Sequence, residues 1–86
     1  MNFDEKSFKK TLDEQLSFPA LYMFKFIVPE GKEQEVTALF PKNEAEFKPS
    51  SKGKYISVTV KAMMESSEAI VNIYGRAKAI EGIIAL

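Results

Sequence analysis

The chain has 86 residues, 45% of them hydrophobic and 28% charged, and its twelve basic and twelve acidic side chains cancel to no net charge. That length holds one domain and excludes two, and a chain of this size buries only about 60–65% of the surface its unfolded form exposes, so the core is modest. The lack of cysteine and histidine excludes disulfides and thiolate chemistry and removes the commonest general base and transition-metal ligand. Balanced charge removes the surplus of Lys and Arg on which DNA binding relies.

Met1-Asn2-Phe3-Asp4-Glu5 lacks the basic, apolar, then small-residue layout of a signal peptide, and no apolar run approaches the ~18–20 residues of a membrane helix. The expectation is a cytoplasmic protein that does not enter a membrane. Residues 1–17 read as an N-terminal helical extension, with Phe8, Leu12 and Leu16 recurring every four residues among Lys6, Lys9, Lys10, Asp13 and Glu14. The mixed charge signs argue against a membrane-surface helix and for a short helix on the flank of the domain or a frayed tail.

The domain proper is expected over residues 18–86. Ser17-Phe18-Pro19 ends any helix, because the residue before proline is pushed toward extended geometry. Residues 21–28 are aromatic and branched and predict a nearly continuous apolar strand. Pro29-Glu30-Gly31 turns the chain, and Val36, Leu39 and Phe40 then give an apolar helical face over 32–40 that Pro41 stops. Residues 44–48 predict a polar edge strand anchored by Phe47, with Pro49 suited to an edge because it cannot donate to a ladder.

The clearest alternation follows. Ile56, Val58, Val60, Ala62 and Met64 face one way, and Tyr55, Ser57, Thr59 and Lys61 the other. Met63 and Met64 are expected to pack at the end of this core strand. Ser66 or Ser67 caps a helix opened by Glu68 and carried by Ile70, Ile73, Tyr74, Ala77 and Ile80. Gly75 is read as a point of close packing on the sheet and Gly82 as the C-cap, and 83–86 form a short last strand.

Strand, helix, strand, strand, helix, strand predicts an α+β ferredoxin-like βαββαβ sandwich. Two helices lie on one face of a four-stranded antiparallel sheet, with the long first and third strands central and the short ones at the edges. The other face of that sheet is then open. Lys25, the only charge in the first strand, should point to water, so Leu21, Met23 and Ile27 share its side, together with Tyr55, Ser57, Thr59 and Lys61 of the third strand. Three uncovered aliphatic side chains each forgo about 1.5–3 kcal/mol of burial. Candidate covers are a second copy, a partner protein, a small ligand, or the chain's own Phe8, Leu12 and Leu16.

The turn Ser50-Ser51-Lys52-Gly53-Lys54 carries hydroxyls, lysines and backbone N–H groups that could cradle an anion. A phosphate loop leads into a helix, whereas a strand follows here, so the plainer reading is a hairpin turn with Gly53 at positive φ. The RNA-recognition motif shares this topology and a basic-Gly-aromatic pattern, of which Lys52, Gly53 and Tyr55 keep a part. Lysine stands where the first stacking aromatic would be. The acidic residues are scattered, so no carboxylate pair for acid–base chemistry, no catalytic residue, no metal site and no cofactor is expected.

Phe18-Pro19, Tyr22-Met23-Phe24-Lys25, the run Lys48-Pro49-Ser50-Ser51-Lys52-Gly53-Lys54-Tyr55-Ile56-Ser57-Val58, Ile73-Tyr74, Ile80-Glu81-Gly82-Ile83 and Leu86 resemble the YbeD-like family of small uncharacterised bacterial proteins. The resemblance covers roughly residues 17 to 86. It implies a ferredoxin-like fold similar to the ligand-binding ACT regulatory domains, no established enzymatic activity, and a link to lipoate metabolism drawn from gene neighbourhood. It supplies no catalytic residues. The expected function is a non-enzymatic regulatory or adaptor domain that binds a protein partner, or itself, through the open sheet face or a sheet edge. The alternatives are an ACT-like small-metabolite sensor and RNA binding.

Overall fold

The alternation over 55–64 organises the sheet. In the computed structural model, which describes residues 4–50 and 53–86, β1 (Ala20–Pro29) and β3 (Tyr55–Met64) pair antiparallel along their full lengths. β2 (Ala45–Pro49) lies outside β3 and β4 (Ile84–Ala85) outside β1, so the order is β2-β3-β1-β4. The fold is α+β and ferredoxin-like, with the two long strands central as their apolar content requires. Pro49 falls in edge strand β2, where a missing donor is harmless.

Tyr22, Phe24, Phe26 and Val28 of β1 and Val58, Val60 and Ala62 of β3 turn to the helix layer, and all but the half-buried Tyr22 are buried. They meet Val36 and Phe40 from one side and Ile70, Ile73 and Ala77 from the other. Burying each large apolar side chain contributes about 1.5–3 kcal/mol, so this layer dominates the stability of so small a chain.

α3 (Ser67–Ala77) starts where the hydroxyls predict: Ser66 Oγ accepts the Ala69 N–H at 3.1 Å. Two glycine readings are corrected. Gly75 is exposed, and a Cβ there would meet open space, because it lies on the outer side of α3. Gly82 is not the cap of α3, which ends at Ala77. It turns the chain into β4 at φ 78°, where a Cβ would stand 2.7 Å from Pro29 Cγ.

α2 (Glu33–Thr37) is shorter than its spacing predicts. The chain tightens into i→i+3 turns as Leu39 N–H bonds to Val36 O and Phe40 N–H to Thr37 O, ahead of Pro41. Val36 and Phe40 are buried as expected. Phe47 is not the anchor predicted for β2. It stands opposite Val58 on the helix side but remains 50% exposed, because so short a helix does not reach over the edge strand.

α1 (Glu5–Gln15) is capped by Asp4, whose carboxylate accepts from the Lys6 and Ser7 N–H groups. Its stripe packs on α3 rather than on the open sheet face. Leu12 is buried in the common core, and the Phe8 ring meets Tyr74 edge-on at 5.5 Å. The extension is therefore not the cover for Leu21, Met23 and Ile27. The apolar flank of α3 offered its stripe a partner on the same side of the sheet.

Candidate interaction surface

The register places Leu21, Met23, Lys25 and Ile27 beside Met63, Lys61, Thr59 and Ser57, with Tyr55 beyond them opposite Pro29. All the open-face residues expected from the alternation share that face, and no described helix lies over it. Leu21 is 63% and Met23 56% exposed. Ile27 is half buried, with Ile84 of β4 opposite it.

Met63 corrects an expectation. It does not pack in the core but stands opposite Leu21, 63% exposed. Extending the alternation one step past Lys61 would have placed it there. Leu21, Met23 and Met63 thus form an apolar patch at one end of the face, and Ile27 and Ile84 stand opposite each other toward the other. Lys25, Thr59 and Glu46 form a polar row between them.

The anion-binding reading of the turn fares differently. Ser51 and Lys52 lie outside the described residues. Gly53 takes φ 68°, as a hairpin turn requires. Ser50 N–H donates to Tyr55 O, Gly53 N–H to Ser50 O, and Tyr55 N–H to Ser50 Oγ. Three N–H groups that might have faced an anion close the turn instead, and Lys54 O accepts from Glu30 N–H. Beside the turn, Lys25, Ile27, Lys48, Ser50, Tyr55 and Ser57 line a shallow cavity of about 340 Å³, which joins the two groups of candidate residues. Tyr55 is the single aromatic ring among the open-face positions of β1 and β3, too few for a platform of stacked bases.

A larger cavity, about 700 Å³, opens on the other side of the sheet, lined by Phe8, Tyr22, Phe26, Tyr74, Ala77 and Lys78 among others. Two of its lining residues, Tyr22 and Tyr74, bring their hydroxyls 3.1 Å apart. Burial, and then the Tyr22 hydroxyl, push the Tyr74 phenol well above its ordinary range. At the rim, the Ser7 backbone N–H and then the Ser7 hydroxyl hold the Asp4 carboxyl below its ordinary value. The sequence assigns both tyrosines to the helix side but gives no sign of this cavity, which depends on where α1 docks.

Among the described residues, no group of three or more acidic side chains is placed to hold a metal ion, and no helix is long and apolar enough to cross a membrane. A family model described as "protein of unknown function (DUF493)" matches residues 13–86, which takes in the last residues of α1, the whole sheet, α2 and α3. No curated protein and no solved structure matches the chain.

Proposed function

Because the chain belongs to the YbeD-like family of domains of unknown function (DUF493), we propose that it works without catalysis, as an adaptor or regulatory domain that binds a partner protein through its open sheet face or the adjoining edge. One observation carries this reading: Leu21, Met23 and Met63 form an apolar patch on a face that no described element covers. The experiment is affinity capture from an extract of the native organism, comparing the wild type with Met23→Glu. The variant should keep its fold, since Met23 is already mostly in water, and should lose the partner. Equal recovery, or none from either protein, overturns the reading. An unfolded variant would mean that this face is core.

A second reading is supported by the 340 Å³ cavity at the Ser50–Tyr55 turn, where Lys25 and Lys48 would attract a small anionic metabolite in the manner of an ACT domain. Ligands of that class should raise the melting temperature with concentration, by about 2.7 kcal/mol of stability at a hundredfold excess over the dissociation constant. A flat response across amino acids, nucleotides and lipoate-like acids counts against it.

A further inference from the structure

Among the described residues, β4 covers only part of the outer edge of β1. Leu86 N–H donates to Lys25 O at 2.9 Å, so Lys25 turns its backbone groups toward β4, and by the two-residue period of a strand Met23 and Leu21 turn theirs the same way. β4 pairs only with Phe26 and Ile27. Among the described residues, nothing bonds to the backbone groups of Leu21 or Met23 on that side. Such a row of donors and acceptors is a template for another strand.

The 700 Å³ cavity flanks this edge on its helix side. Ala85 stands opposite Phe26, and Leu86 lies beside Lys25. A strand continuing that line would place successive residues opposite Phe24, Met23, Tyr22 and Leu21. Side chains opposite Phe24 and Tyr22 would turn under α1, toward Phe8, Tyr22 and Tyr74, which line the cavity. Those opposite Met23 and Leu21 would join the apolar patch on the open face.

We propose that this edge takes up an extended segment of a partner protein as an added strand, antiparallel to β1 and in line with β4, with apolar side chains at alternate positions seated in the cavity. This rests on the adaptor reading and names its partner as a strand-forming peptide. A second copy of the domain fits less well. Pairing β1 with a second β1 would bring along that copy's α3 and α1, which cover its own Tyr22 and Phe24, into the room that α1 occupies above the cavity. A lone strand carries no helices and needs only the groove.

The test uses the full chain, labelled with ¹⁵N and titrated with the capped peptide acetyl-Lys-Val-Thr-Val-Thr-Val-Lys-amide. The expected result is a shift and slowed exchange of the Leu21 and Met23 amides, with accompanying shifts at Phe8 and Tyr74. Methylating the two threonine nitrogens removes the donors that would face β1 and should weaken binding about tenfold or more. No shift at millimolar peptide, equal binding by the methylated peptide, or shifts confined to Ser57, Thr59 and Lys61 each overturn the added strand. Protection of the same amides by dimerisation without peptide gives the edge to a second copy and overturns it too. If Met23→Glu loses a captured partner while the peptide leaves the Leu21 and Met23 amides unmoved, the adaptor reading stands and the added strand falls. If the peptide binds at the edge but no partner is captured, the edge stands and the adaptor reading falls.

Discussion

The hydroxyl of Tyr22 on β1 lies 3.1 Å from that of Tyr74 on α3, although the two are 52 positions apart in the chain. Partly buried hydroxyls need partners, and here each serves the other. Tyr74 also packs its ring against Phe24 and Phe26, with centroids 5.5 and 5.7 Å away. This pair fixes α3 on the sheet and sets the floor on which α1 rests.

Replacing Tyr74 with Phe should keep the ring packing and lose about 0.5–1.5 kcal/mol of stability at neutral pH, the usual net worth of one hydrogen bond. The pH dependence has a definite sign. The Tyr74 phenol holds its proton more tightly in the folded state than its ordinary value of 10.0. Its contribution is therefore complete below about pH 10 and is lost as pH rises from there toward the folded value. Urea midpoints followed by circular dichroism across that range should fall more steeply for the wild type than for Tyr74→Phe. Equal slopes would mean that the phenol is not shielded.

Val58→Asp tests the parity of the central strand. Val58 is fully buried and faces the helix layer, so an aspartate there would be an unpaired buried carboxylate. The cost, several kcal/mol, is most of the about 4–13 kcal/mol available to a domain of this length. A cooperative thermal transition close to that of the wild type at neutral pH would show that the strand faces the other way.

The two corrected glycines should respond in opposite directions. Gly75→Ala meets open space in α3 and should stabilise by about 0.5–1 kcal/mol through better helix propensity. Gly82→Ala must hold φ near +78° with its Cβ against Pro29, and should destabilise by about 1–2 kcal/mol from the backbone strain alone. Melting temperatures of the two variants, shifted by about 4–8 °C per kcal/mol in a domain of this size, should move apart on either side of the wild type.

Asp4 gives a local prediction at low pH. Its carboxyl is held below 3.8 by the Ser7 N–H and hydroxyl, so the cap contributes fully above the ordinary carboxyl range and is lost as pH falls through the lower, folded value. The Lys6 and Ser7 amides should lose protection from exchange over that interval. Asp4→Ala should show the unprotected behaviour at neutral pH.

What could be read along the chain was what short-range chemistry decides. The period-two pattern from Tyr55 to Met64 gave β3 both its faces, the lone Lys25 oriented β1, Ser66 marked the start of α3, and the turn at Gly53 needed only one residue free to take positive φ. The open face followed from these, because parity carries each side chain to one side or the other whatever the rest of the fold does. Met63 obeys the same rule, since parity carries it to the open face although its apolar character favours the core.

The docking of α1 on α3, the Tyr22–Tyr74 pair, the 700 Å³ cavity and the outer backbone edge at Leu21 and Met23, which no described residue pairs, belong to the tertiary structure. Each depends on groups far apart in sequence, or on how many residues of β4 reach β1, and neither periodicity nor composition encodes that. An amphipathic stripe states that a helix will bury one side. It does not name the surface, and here two apolar surfaces competed for Phe8, Leu12 and Leu16. The flank of α3 took them, so the cavity formed beneath α1 and the sheet face stayed open.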